Sequence, residues 1–296
     1  MTAQRARTSS ANMPVVMPTP APGRILEASR GLAGLDVIGS LNLEMAHPKA
    51  TFEPVLTALA ADPSLASFVI QAACSAHFGG RANSCTLTEA FARLGVTEFC
   101  RQLVTAVVQL KICKQRFPKC TAHAEEVGRL CELIAAVSAK ELRLAAYCTG
   151  VCHDAGVPVI FDAVTDYRYL ADRALANDPE VLPLERGCAG VSHCDVAAEL
   201  VATMGFAASV AAAVRLHHEP DRLYQLTGES ARLLSMLIIA ERVIGVVVGD
   251  GEAVFEKLVE DELRQHCLQA LDLESDRLDA TIVELLTWCR ARHRLG

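Results

Sequence analysis

The chain has 296 residues, of which 51% are apolar, 21% charged and 5% aromatic, with a mean hydropathy of +0.26. This composition supplies a sizeable core, in one large domain or two modest ones, and excludes general disorder. A formal charge of −7 argues against bulk nucleic-acid binding, and no run reaches the ~18 uncharged apolar residues of a membrane span. The first residues carry basic groups but no apolar signal-peptide core, so cytoplasm is the expected compartment and no membrane partner is expected.

Residues 1–22, rich in proline, read as a flexible arm. Beyond them apolar residues recur every three or four positions, and strand alternation is scarce. Asp62-Pro63 predicts a helix start, with aspartate capping and proline where its missing N–H costs nothing. That helix is expected to reach His77 and stop at Gly79-Gly80. A second spans Thr86 to Leu94-Gly95, and a third runs from Val96 to about Cys113. Pro118 marks a break, placed as a boundary between Phe117 and Thr121. Helices 121–137 and 139–152 follow, then a loop from His153 to Pro158. A helix over 162–175 leads to an irregular stretch, Asn177 to Val191. Helices 193–204, 207–218 and 229–248 come next, and the last stops at Gly249-Asp250-Gly251. Helices 252–270 and 275–293 close the chain. The fold class is all-α in two helical lobes.

Twelve cysteines are spread along the chain without a single C-x-x-C pair. Small buried hydrophobes in a reducing compartment is the plainer reading. A thiol or metal sensor using Cys148, Cys152, Cys188 and Cys194 is the alternative, although its spacing matches no zinc pattern.

The informative residues are histidines on apolar stripes. His123 shares a face with Val127, Leu130 and Ile134, and His193 with Val196, Ala197, Leu200 and Met204. His217 and His218 continue the stripe of Val210 and Val214. His153 and Asp154 end a helix. One inward histidine is usually a satisfied core residue; five on four successive helices, with a carboxylate, form a set for Fe, Mn or Zn. The His153-Asp154 pair suits a dinuclear centre with a bridging carboxylate. Glu241 lies in phase with Leu234 and Leu237 and is a further candidate. Its alternatives are pairing with Arg242 or another arginine, or exposure.

The order H…H-D…H…H-H…acid resembles the HD superfamily of metal-dependent phosphohydrolases. E-R-G-C-A-G-V-S-H-C-D-V-A-A-E-L (185–200) and A-V-R-L-H-H (213–218) are similar to the HDOD (HD-related output domain) branch, which reads E-x-x-x-x-G-x-x-H and A-I-x-x-H-H. In the first half, D-P-S-L…C-S-A-H-F-G-G and T-L-T-E-A-F-A-R-L-G-V resemble the HDOD runs D-P-x-L…N-S-x-x-F-G and S-L-x-x-A-I-x-x-L-G. The resemblance covers roughly residues 20–248. It implies an N-terminal helical lobe over 23–118, an HD-like bundle over 119–249 and an extension over 250–296. It also implies a bacterial signalling context and metal ligands at His123, His153, Asp154, His193, His217, His218 and Glu241.

The departures bear on activity. Glu241 stands where the superfamily ends its ligand set with Asp. Related cyclic-dinucleotide phosphodiesterases carry Lys after H-D-x-G, where this chain has Val157, and G-Y-P after H-H-E, where it has P-D-R-L-Y-Q. Cys74 replaces the usual HDOD Asn. The expected function is therefore a regulatory signal-transduction module that acts through other signalling proteins and does not catalyse. The alternative is a metal-dependent phosphohydrolase, with basic help from Arg168, Arg186, Arg215 or Arg222; Arg186 and Arg215 are the phosphate contacts it would use. No Gly-rich phosphate loop exists, so no nucleotide cofactor is expected. The extension, with Val254, Leu258, Leu263, Ile282, Leu285, Leu286 and Trp288, is expected to pack on the chain's own core; a homodimer contact is its alternative.

Overall fold

The computed structural model describes residues 22–47, 49–75, 85–165, 167–176, 178, 180–248 and 262–293. The arm before Pro22, the stops at Gly79-Gly80 and Gly249–Gly251, and Val254 and Leu258 lie outside the described residues. Those described contain no strand; fifteen α-helices with short 3-10 and π segments make up the fold.

Helices α1 (Pro22–Arg30), α2 (Leu35–Ala46), α3 (Glu53–Ala60), α4 (Pro63–Cys74) and α5 (Leu87–Ala106) occupy the first third of the chain. The start of α4 is as the Asp-Pro pair predicts. Asp62 Oδ1 accepts from the Ser64 and Leu65 backbone N–H groups at 3.1 and 3.2 Å, and its Oδ2 lies 2.5 Å from Lys111 Nζ. The helix ends at Cys74, before His77, because Ser75 is extended. Partial burial pushes the Asp62 carboxyl up, but Lys111 and Ser64 outweigh it and bring it to about 2. A depressed carboxyl contributes stability above the ordinary aspartate range and loses it as pH falls toward 2. Asp62→Ala is expected to cost about 1 kcal/mol at neutral pH, read by denaturant unfolding, and the difference should vanish near pH 2.

The expected break at Gly95 is a kink inside α5, where Gly95 adopts φ 68°; glycine takes this left-handed value without a Cβ penalty. The helix then continues through a π-helical stretch, Val107–Ile112. Helices α6 (Pro118–Ser138) and α7 (Arg143–Cys152) follow, with Pro118 opening α6 at N1 rather than merely ending what precedes it. Next come α8 (Gly156–Ala163), α9 (Arg168–Leu175), α10 (Val181–Ala189), α11 (His193–Thr203), α12 (Ala208–Leu216) and α13 (Gly228–Val248). The chain closes with α14 (Glu262–Leu271) and α15 (Ser275–His293).

Two expectations are corrected here. The loop at 153–158 persists only as the turn 153–155, its second half being the first residues of α8, and the irregular stretch to Val191 contains α10. Both errors came from prolines. Pro158 and Pro183 each sit third in their helix, inside the first turn, where the N–H has no helical acceptor to lose.

Buried apolar side chains form one continuous cluster from Ile25 to Cys289. Helices α6 and α7 make its most extensive pairing, and they cross where Gly128 meets Gly150. A Cβ on Gly150 would stand 2.6 Å from the Gly128 Cα, so only glycine at both positions allows the backbones this close. Helices α1 and α2 pack on α11, and α14 and α15 pack on α13. Leu268, Leu271, Ile282, Leu285 and Leu286 are buried, so the extension covers the chain's own core. Residues 140–163 contain an 18-residue window apolar enough to cross a membrane, but 78% of that window is buried inside the bundle, and it spans the break between α7 and α8.

Candidate metal centre

Five helices deliver the site. His123 projects from α6, whose inward stripe of Val127, Leu130 and Ile134 is fully buried. His153 and Asp154 follow the last residue of α7 and are buried among its apolar neighbours. His193 is the first residue of α11, held by a capping box in which Ser192 and Asp195 satisfy each other's backbone N–H. His217 and His218 follow the last residue of α12, and Glu241 lies on α13. Gly156 permits the approach of α8 to α11: a Cβ there would stand 2.0 Å from the His193 carbonyl oxygen.

All seven side chains converge. The rings of His123, His153, His217, His193 and His218 form a contiguous series with centroid separations of 4.4 to 5.3 Å. Asp154 sits among them. Its Oδ2 is 3.2 Å from His153 Nε2 and 3.8 Å from His123 Nε2. Its Oδ1 is 3.5 Å from His193 Nε2 and 3.4 Å from His217 Nε2. Glu241 Oε1 lies 3.1 Å from His123 Nε2 and 3.0 Å from His153 Nε2, which answers the question of its partner in favour of the histidines.

The outer ring nitrogens fix the tautomers. His153 Nδ1 is 2.7 Å from the Gly150 carbonyl, and His217 Nδ1 is 2.7 Å from the Val214 carbonyl. A carbonyl only accepts, so each Nδ1 carries the proton, and each uses a carbonyl that a helix end leaves free. His193 Nδ1 donates to Glu185 at 2.8 Å, and so does the His193 backbone N–H at 2.8 Å. Tyr167 Oη donates to the other Glu185 oxygen. Glu185 comes from α10 and is fully buried. In neutral imidazoles of this tautomer every Nε2 turns a lone pair inward, and the oxygens it faces are acceptors too. Asp154 Oδ1 and Glu241 Oε1 are accordingly buried without a hydrogen-bond partner.

Positive charge relieves these facing acceptors, and protons on the Nε2 atoms supply it where an ion does not. Burial lowers the His153 imidazole, but Asp154 and Glu241 outweigh it and hold the ring well above its usual range. Burial also opposes charge on His217, yet Cys194 and Asp154 raise it to about 9. Asp154 is buried and still lies well below the carboxylate range because of His153, His217 and His193. His218 goes the other way: burial, then His217 and His193, lower it to about 2, which leaves a neutral ring able to ligate. The donor atoms fit a divalent ion, which would answer both orphaned oxygens and the lone pairs at once. Three sets each gather their donor atoms within 4.8 Å: His123, His153 and Glu241; His153, Asp154 and His217; and His193, Cys194, His217 and His218.

At the rim, three of the four candidate arginines are already paired. Arg215 Nη1 is 2.8 Å from Asp195 Oδ1, Arg186 lies 3.9 Å from Asp195 and 3.8 Å from Glu219, and Arg222 is 3.3 Å from Glu219. Arg168 is exposed at the start of α9. Of the four sensor cysteines only Cys194 touches the histidines. Burial pushes the Cys148 thiol well up and that of Cys152 to about 12, which keeps both protonated. Glu185 and Tyr167 carried no expectation from the sequence, although Glu185 is the acid of the E-x-x-x-x-G-x-x-H run.

A family model described as HDOD domain matches residues 35–220. No curated protein matches the chain. Among solved structures, an HDOD domain protein of unknown function from Geobacter sulfurreducens superposes with a TM-score of 0.62 at 18% identity, over 90% of this chain and 97% of that one. A protein from Shewanella amazonensis SB2B, provisionally named a phosphohydrolase, gives 0.59 at 17% identity over 91% and 99%. A provisionally named signal transduction protein from Marinobacter aquaeolei VT8 gives 0.57 at 18% identity, over 92% of this chain and 66% of that one. At these identities the likeness is one of fold. The sequence match over 35–220 adds the lineage, and with an all-helical bundle closed around a histidine–aspartate cluster the chain belongs to the HDOD domain family.

Proposed function

We propose that the protein is a metal-loaded regulatory module of signal transduction that acts through contact with other signalling proteins and does not turn over a phosphoester. The observation that carries the metal is the pair of buried, unpartnered oxygens, Asp154 Oδ1 and Glu241 Oε1, facing imidazole lone pairs. Iron, manganese or zinc suits the donor set. A bound divalent ion would polarise a phosphoryl oxygen or acidify a water if one had access. Two features speak for regulation. Val157, in the place of the phosphodiesterase lysine, is fully buried among apolar residues. The rim arginines are engaged by Asp195 and Glu219.

A second reading, phosphodiester hydrolysis at the same centre, has one observation in its favour. The His123 and Glu241 side chains keep 16% and 10% exposure, so that edge of the site touches solvent.

Metal analysis of the full chain purified without chelator tests the first reading, together with hydrolysis assays on cyclic dinucleotides and a generic phosphodiester with Mn2+ or Fe2+. Bound metal, lost in His153→Ala or in the edge variant His123→Gln, without metal-dependent turnover is expected. Turnover that depends on His153 overturns the non-catalytic reading. Protein that stays metal-free after incubation with each ion overturns the metal centre.

A further inference from the structure

Asp154 divides the site. Its Oδ2 faces His123 and His153, beside Glu241, while its Oδ1 faces His193 and His217. The first half offers nitrogen and oxygen. The second half contains a thiol. Cys194 Sγ lies 3.4 Å from His193 Nε2 and 4.0 Å from His217 Nε2, and those two nitrogens are 3.4 Å apart. A tetrahedral ion with Zn–N of about 2.0–2.1 Å and Zn–S of about 2.3 Å separates its nitrogens by about 3.3–3.4 Å and sulfur from nitrogen by about 3.5 Å. The three atoms therefore already approximate one face of a coordination tetrahedron.

Independent features point to a ligand here. Asp154 Oδ1, buried and without a hydrogen donor, is aimed at the same two nitrogens. Cys194 is 1% exposed and sits in the first turn of α11, where a helix end best tolerates an anion. His218 completes a four-donor set within 4.8 Å.

Resting on the metal reading above, we propose that Cys194 is a thiolate ligand of the ion held by His193 and His217. The centre is then unequal. The His193–Cys194–His217–His218 half is a nitrogen–sulfur site that favours Zn2+ or Co2+, and the His123–His153–Glu241 half is a nitrogen–oxygen site that suits Mn2+ or Fe2+. Binding replaces the S–H bond with a metal–sulfur bond and releases one proton to solvent, with no change of oxidation state.

Titrating the chelator-stripped full chain with Co2+ and recording its absorption spectrum tests this. Visible ligand-field bands report that cobalt binds, and a near-ultraviolet sulfur-to-cobalt band reports the thiolate. The sulfur band should appear in wild type and in Cys188→Ser and disappear in Cys194→Ser. In Cys194→Ser, Zn2+ affinity should fall by more than the roughly 10–100-fold that loss of an outer-shell partner costs. Cobalt binding without the sulfur band, or a band that survives Cys194→Ser, overturns the thiolate and leaves the metal centre standing; no cobalt binding at all overturns both. X-ray absorption of the zinc-loaded wild type needs no variant: one sulfur at about 2.3 Å is expected, and a shell of nitrogen and oxygen alone refutes the proposal.

Discussion

Asp154→Ala is expected to strip both halves of the centre at once. The carboxylate is the one side chain whose two oxygens reach into both donor sets, at 3.2 Å from His153 and 3.4 Å from His217. Wild-type protein holding an ion at about a thousand times its dissociation constant gains about 4 kcal/mol over the stripped form. For a chain of this size that corresponds to a rise in Tm of roughly 5–8 °C. The variant should show no such rise, and its metal content should be near zero. Differential scanning calorimetry with and without chelator measures the first quantity, and elemental analysis the second. Since protons compete for the same imidazole lone pairs, the wild-type increment should shrink as pH is lowered. A variant that retains a metal-dependent Tm would show that the imidazoles and Glu241 suffice without the bridge.

Glu185→Ala is expected to be the most damaging single change that removes none of the seven candidate ligands. The carboxylate accepts from the His193 backbone N–H, from His193 Nδ1 and from Tyr167 Oη, all buried. Its removal strands three donors, and each unpaired buried group costs about 1–3 kcal/mol. Breaking a buried charged network of this kind costs about 3–5 kcal/mol, a Tm drop of roughly 5–8 °C for a chain of this length. It also frees the His193 ring to turn, so affinity at the half containing His193 should fall about 10–100-fold. Glu219→Ala is the comparison: this half-buried rim carboxylate pairs only with half-exposed arginines, and its loss should stay within about 0.5 kcal/mol.

The inward histidines were legible because helical periodicity is a one-dimensional signal. His123 and His193 stand on stripes whose other members are uniformly buried, so their direction followed from spacing alone. Glu241 could be placed in phase with Leu234 and Leu237, but phase does not name a partner; the choice between histidine and arginine needed the crossing of α13 with α6 and α7. Glu185 was hidden for a different reason. Pro183 made α10 read as irregular, and a segment without a helix has no inner face to predict. Cys194 was visible only as a member of a loose thiol set, because the rings its sulfur lies against belong to the residue before it, His193, and to His217 beyond α11 and α12. The glycine contacts at 128, 150 and 156 are the least legible of all. What they do is exclude a Cβ, and a sequence shows no difference between a glycine that flexes and one that is crowded.

The donors are contributed in chain order from α6, α7, α11, α12 and finally α13, so the ring around Asp154 cannot shut until the last of these helices has docked. Closing so wide a loop carries an entropic cost that is met only when the far end arrives. During synthesis the segment carrying Glu241 leaves the ribosome well after the four histidine-bearing helices. A nascent chain halted earlier holds imidazoles and one acid around an unfinished cage, and an ion captured then would lack its α13 carboxylate. Complete coordination would in this sense be a late event, marking a polypeptide whose helices through α13 have been made and packed.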